Sequence, residues 1–131
     1  MKFTIYGKPC GKGRPRFGQG TVYTDGRTVE YETRVRCSYL GACGKMHDGG
    51  VTISLTAYYP MPKTAKGMLR AEMVGGFVKP LKKPDLDNVI KAILDGLTGC
   101  AFQDDVQVTA MHAEKRYGEE PRVEVEICAC E

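Results

Sequence analysis

The chain of 131 residues has no tryptophan and only two histidines. Aromatic residues make up 8% of it, and they do not interleave with basic residues as in a stacking platform for single-stranded nucleic acid. Long apolar runs are missing too. No stretch approaches the roughly 20 residues that a membrane span needs. The opening Met1-Lys2-Phe3-Thr4-Ile5 has no apolar stretch long enough for a signal peptide. None of the cysteines (Cys10, Cys37, Cys43, Cys100, Cys128 and Cys130) forms a Cys-x-x-Cys pair. Cys128-x-Cys130 alone does not define a zinc site, and His47 and His112 join no ligand cluster. Reduced thiols in a cytoplasmic protein, most of them packing residues, are therefore expected. A phosphate-cradling P-loop is excluded: no glycine stands five residues before Gly11, and Gly13 occupies the place where Ser or Thr is needed.

What remains is an ordinary globular composition, 42% apolar and 27% charged. Its length suits one domain over residues 1–131, able to bury roughly two thirds of its unfolded surface. Lys and Arg number 19 and Asp and Glu 16, a net charge of +3. That sum hides a pattern. The first 24 residues hold Lys2, Lys8, Lys12, Arg14 and Arg16 and no acid. Pro60 to Pro84 holds Lys63, Lys66, Arg70, Lys79, Lys82 and Lys83 against only Glu72, whereas Asp104 to Glu131 is acidic. The basic segments are rich in Gly and Pro. They read either as solvated loops or as loops that reach a polyanion.

Phe3 and Ile5 alternate with Thr4 and Tyr6, which predicts a short first strand. Gly7 to Gly20 reads as a loop. Tyr31, Val35 and Tyr39 recur every four residues and predict a helix over Thr28–Leu40. Val51 to Tyr59 alternates apolar and polar, as a strand with one buried face does. The connection from Pro60 to Pro84 is long enough to point to function or disorder. A second helix is predicted over Asn88–Leu97, with Val89, Ile90, Ile93, Leu94 and Leu97 as its apolar stripe and Asp87 as N-cap. Strands over Val106–Tyr117 and Arg122–Cys130 would form a hairpin through Gly118–Pro121. The expected fold is α+β: strand, helix, strand, helix, strand, strand, with two helices packed on a mixed sheet.

The acids that invite chemistry are Asp85 and Asp87, one residue apart at a helix entry, and Asp104 and Asp105 before the next strand. Side chains two apart on an extended segment face the same way. Three carboxylates drawn together would repel unless a cation joined them. All-oxygen donors suit Mg²⁺ or Mn²⁺ better than zinc. Lys91 lies one turn after Asp87 and could meet a carboxylate or a phosphate, Asn88 could serve in support, and Asp95 reads as solvated. The same residues also have structural readings: Asp87 as a cap, Asp87 and Lys91 as a plain ion pair, Asp104 and Asp105 as turn residues. Spacing alone leaves open whether the carboxylates meet.

The run Lys83-Pro-Asp-Leu-Asp-Asn-Val-Ile-Lys-Ala-Ile-Leu-Asp-Gly-Leu97, followed by Asp104-Asp-Val-Gln-Val108, resembles the RusA family of Holliday junction resolvases. Gly11-Lys-Gly-Arg-Pro-Arg-Phe17, Val22-Tyr-Thr24 and Thr28-Val-Glu-Tyr-Glu32 resemble its phage and Gram-positive branch. The resemblance implies a homodimeric endonuclease, often prophage-encoded, that makes paired nicks in branched DNA with four arms. It implies that Asp85, Asp87 and Asp105 bind Mg²⁺ and that Lys91 is essential. Asn88 and Asp104 are assigned supporting roles. Gly96 stands where the family usually has Ala, which suggests a looser helix end. Lys12, Arg14, Arg16, Lys79, Lys82 and Lys83 are the candidate DNA contacts. A non-catalytic DNA-binding module, or a nuclease acting mainly on flaps or forks, are the alternatives.

Overall fold

The computed structural model describes residues 1–13, 16–18, 20–23 and 26–130. In chain order the elements are β1 (Lys2–Tyr6), β2 (Arg16–Gly18), β3 (Thr21–Tyr23), α1 (Gly26–Gly41), β4 (Val51–Pro60), α2 (Gly67–Val74), α3 (Leu86–Leu97), β5 (Val108–Gly118) and β6 (Arg122–Ala129). A single 3₁₀ turn, Asp105–Gln107, precedes β5. The α+β order expected from the sequence is present, with two additions. A small β2–β3 ribbon lies inside the glycine-rich segment, and a third helix, α2, lies inside the long connection.

Strand β4 organises the sheet. Val51, Ile53, Leu55, Ala57 and Tyr59 are buried while the residues between them are not. Among the described strands it has the most fully buried apolar face, so it gains most from a central place. The strand order is β1-β6-β4-β5. β4 runs parallel to β5 and antiparallel to β6, which pairs antiparallel with β1. The hairpin expected between the last two strands is therefore not formed. β4 lies between them, with Leu55 opposite Ala113 on one side and Val125 on the other. Residues 119–121 step over the end of β4 at Pro60, which faces Gly118. A span of two strand spacings, about 10 Å, is within the reach of three residues.

Helices α1 and α3 cover one face of this sheet. Tyr31, Val35 and Tyr39 of α1 and Val89, Ala92, Ile93 and Leu97 of α3 join Phe3, Ile5, Ile53, Leu55, Val123, Val125 and Ile127 in one core. Phe3 and Tyr39 meet edge to face with ring centroids 5.3 Å apart. Helix α2 was not legible because it buries only Met73. It is held from outside: the Arg116 guanidinium donates to the Val74 carbonyl (3.1 Å), and Arg70 pairs with Glu119 (3.2 Å). Most of the cysteines are not packing residues. Cys100 is buried, but Cys37, Cys43, Cys128 and Cys130 are exposed.

Gly96 is a contact point, not a loosened helix end. A Cβ at this position would lie 2.7 Å from Val35 Cβ and 3.1 Å from the Glu32 carbonyl oxygen. The bare glycine lets α1 and α3 approach closely. Gly96→Ala gains about 1 kcal/mol of helix propensity but overpacks against atoms fixed to the α1 backbone, a cost of about 1–3 kcal/mol. We expect a lower unfolding midpoint in urea for Gly96→Ala. An unchanged or raised midpoint would contradict this packing.

Candidate functional site

Helix α3 begins earlier than its sequence pattern suggests, and this changes the role of both aspartates at its entry. Asp85, not Asp87, occupies the N-cap position, with φ −65° and ψ 146°. Its carbonyl accepts from Val89 N–H (3.1 Å), but its carboxylate does not cap the helix. Asp87 lies in the first turn, where its Oδ1 accepts from Asn88 N–H at 3.0 Å. Both carboxylates are exposed. Neither is consumed by the capping duty that would have explained it, and both sit where a helix favours negative charge.

The loop before β5 assigns different work to its two aspartates. Asp104 is the cap of the 3₁₀ turn. Its Oδ1 accepts from Val106 N–H (3.1 Å), and Gln107 closes a reciprocal capping box with it. The Gln107 side chain accepts from Gln103 N–H (2.9 Å) and donates to the carbonyls of His47 (2.9 Å) and Gly49 (2.8 Å). Sequence reasoning passed over Gln107 because all its partners lie in backbone, two of them in a distant loop. With Asp104 occupied as a cap, Asp105 is left to meet helix α3. Its Oδ2 lies 3.9 Å from Lys91 Nζ, which also lies 3.4 Å from Asp95. Lys91 thus pairs with Asp105 and Asp95, not with Asp87.

Asp95 is not the solvated residue its spacing suggests. It is partly buried and lies 3.0 Å from Lys12 Nζ, which lies 2.7 Å from Glu32. A line of alternating charge therefore runs from Glu32 through Lys12, Asp95 and Lys91 to Asp105. Burial by itself would lower the Lys12 pKa, but its hydrogen bonds to Glu32 and Asp95 outweigh this and raise it. Lys12 N–H donates to the Asn88 carbonyl (3.0 Å), and Gly13 N–H to the Thr28 hydroxyl (3.0 Å). A Cβ on Gly11 would come within 3.1 Å of Pro84 and 3.2 Å of Asn88. The Gly11-Lys12-Gly13 stretch is a clasp between α1 and α3, and the partly buried Lys12 ammonium is engaged by Glu32 and Asp95.

Strand β4 holds the helix entry from below. The Tyr59 hydroxyl donates to the Pro84 carbonyl. Burial, aided by the charge of Asp85, pushes the Tyr59 pKa up to about 12, so the phenol keeps its proton at any physiological pH. Lys115 lies 4.7 Å above the Tyr59 ring and donates to the Lys82 carbonyl (2.6 Å). Among the other candidate DNA contacts, Lys79 lies 3.6 Å from Glu114, Lys82 donates to the Pro60 carbonyl (3.2 Å) and Lys83 lies 3.9 Å from Asp85. All three remain exposed. Lys8, Pro9, Tyr59, Pro60, Lys82, Lys83 and Pro84 line a cleft of about 220 Å³ beside the helix entry. Arg14 lies outside the described residues, and only the backbone of Arg16, at the start of β2, is described.

Among the described residues no three His, Cys, Asp or Glu side chains are gathered closely enough to hold a metal ion. The donor chemistry nevertheless suits a hard divalent cation. Asp85, Asp87 and Asp105 are all carboxylates with solvent access, and none is fully consumed by hydrogen bonds inside the protein. Among the described residues no helix is long and apolar enough to cross a membrane.

Two comparisons bear on this arrangement. The family described as Endodeoxyribonuclease RusA matches residues 6–128. A protein of Bacillus subtilis (strain 168), named as the uncharacterized protein YqaN, is 34% identical over 138 residues, covering 97% of this chain and 94% of that one. The chain belongs to the RusA endodeoxyribonuclease family, hydrolases that act on DNA.

The internal position of Lys12 can be tested directly. Lys12→Met leaves Glu32 and Asp95 facing each other without their shared cation, and we expect a loss of about 1–2 kcal/mol in urea unfolding. Because the Lys12 pKa is raised in the folded state, this contribution is complete below the ordinary lysine value of 10.5 and fades as pH rises through the folded value. The salt dependence of DNA binding should stay as in the parent chain. Unchanged stability, with a salt slope shallower by about one, would instead make Lys12 a phosphate contact.

Proposed function

We propose that this RusA-family enzyme is a Mg²⁺-dependent endonuclease that resolves four-way DNA junctions by paired symmetric nicks, in recombination and repair. The observation that supports this reading is the 3.9 Å approach of Lys91 to Asp105. It holds the loop that carries Asp105 against helix α3, at whose entry Asp85 and Asp87 lie. Asp85, Asp87 and Asp105 would hold the cation, which supplies positive charge to activate water and to offset the charge that develops on the phosphate.

The chain's own residues do the rest. Lys91 carries a positive charge at the edge of the acidic group, suited to a phosphate in transit or a leaving oxygen. Asp95 and Asp105 hold that ammonium on one side of α3, and Lys12 in turn neutralises Asp95. Lys82 and Lys83 offer phosphate contacts beside the helix entry, so binding should weaken steeply with salt. One acidic group per chain makes one nick. Two nicks at symmetric positions call for a two-fold homodimer, whose symmetry matches that of the junction.

Two adjacent aspartates give a sharp test. Asp105→Asn removes a cation ligand and should cut turnover on a synthetic junction by at least about 100-fold, some 2.7 kcal/mol of barrier. Binding in Ca²⁺ should persist. Asp104→Asn replaces one good cap with another, so turnover should stay within about tenfold of the parent chain. Equal losses in both variants would refute the division of roles. The same assay run on junctions, flaps, forks and linear duplex identifies the preferred substrate. Tight binding with no nicks in any divalent metal would point instead to a binding module.

A further inference from the structure

The two most exposed large apolar side chains among the described residues lie on one segment. Phe77 is 85% exposed and Leu81 96% exposed, and both lie on the segment that runs from α2 into Asp85. Single exposed apolar residues are ordinary on a protein surface; what distinguishes these two is that they lie four residues apart on one anchored, lysine-rich segment.

The backbone that carries them is well bonded. Gly75 N–H donates to Ala71 (2.9 Å), Gly76 N–H to Met73 (3.2 Å) and Phe77 N–H to Glu72 (2.9 Å). Gly76 adopts φ +86°, which turns the chain sharply out of α2. A Cβ there would lie 2.8 Å from Arg116 Nη2, the group that closes the helix at Val74. Phe77 is therefore displayed on a preorganised turn. Beyond it, Lys79 is tied to Glu114, and Lys82 is tied through its side chain to Pro60 and through its carbonyl to Lys115. Leu81 projects between these two anchors.

The surroundings select the partner. The connection over residues 60–84 carries Lys63, Lys66, Arg70, Lys79, Lys82 and Lys83 against Glu72, and with Glu119 on Arg70, Glu114 on Lys79 and Asp85 on Lys83 it still keeps an excess of positive charge. A second copy meeting this surface across a two-fold axis would bring positive against positive. A polyanion with an apolar interior fits both the lysines and the tips. DNA offers base faces wherever its stack is interrupted, and apolar side chains can wedge between base steps. We infer that Phe77 and Leu81 are apolar tips that insert among the bases at the branch of the DNA substrate, with Lys79, Lys82 and Lys83 on the flanking phosphates. The inference rests on the branched-DNA reading above and assigns that substrate a second point of recognition, separate from the acidic residues.

The test uses the full chain in Ca²⁺, with a four-way junction carrying 2-aminopurine at the branch. The parent chain should raise the fluorescence on binding, as the base unstacks. In Phe77→Ala/Leu81→Ala that rise should be lost and junction affinity should fall by about fivefold or more, while affinity for linear duplex stays unchanged. Both side chains face solvent, so the unfolding midpoint should not move, which separates the effect from misfolding. An undiminished fluorescence rise in the variant overturns the wedge and leaves the junction reading standing. Sedimentation showing a dimeric parent chain and a monomeric variant also overturns it, making the surface a contact between copies. A parent chain that binds junction no better than duplex overturns the branched-DNA reading itself and the wedge with it.

Discussion

Helix α3 carries Asp85, Asp87, Lys91 and Asp95, so their positions are only as firm as its seat on the sheet. That seat is made at both ends. Near its C-terminus Gly96 presses against Val35 with no side chain between them. At its entry the Tyr59 hydroxyl holds the Pro84 carbonyl and the Lys12 amide holds the Asn88 carbonyl. These bonds are made by main chain or by a phenol that does not ionise near neutrality. They leave the carboxylates themselves unspent. A helix start anchored through carbonyls can present its acids to solvent, whereas one anchored through Asp side chains could not.

The parts of this arrangement that could be read from the sequence are those governed by periodicity. The alternation of Val51 to Tyr59 identified β4, and the four-residue spacing of Tyr31, Val35 and Tyr39 identified α1. Periodicity says which face is buried but not which strand is the neighbour. The β5–β6 hairpin was expected because the strands adjoin in sequence, yet β4 carries the more apolar face and separates them. Helix α2 eluded the pattern because it leans on charged side chains of β5 and its following turn and not on an apolar stripe. At the site, the D-L-D-N and D-D-V-Q strings were legible as chemistry. The partners of Lys12, Lys91 and Asp95 were not, since each ion pair except Lys91–Asp95 joins residues from separate elements.

The blocks of charge in the sequence become contacts in the fold. The acidic C-terminal stretch faces the basic connection: Glu114 meets Lys79 and Glu119 meets Arg70. Pairs this exposed add little stability singly. Their effect is to orient the connection along β5. The small net charge of +3 is the remainder after these local matches. Lys83, 88% exposed in its side chain, is one of the cations left facing outward beside the helix entry.

The sheet order has a consequence for how the chain acquires its structure. The first strand pairs with the last, Lys2 opposite Glu126, and the central strand pairs only with segments that begin more than forty residues later. During synthesis β4 emerges from the ribosome with both edges unpaired and waits for the final quarter of the chain. Long-range pairing of this kind is slow, because loops must close before contacts reward them. The exposed backbone of a waiting apolar strand is also a template for association with other chains. In chain order helix α3 lies between the early strand and its late neighbours, so Asp85, Asp87 and Asp105 reach their folded positions only after β5 and β6 have joined β4.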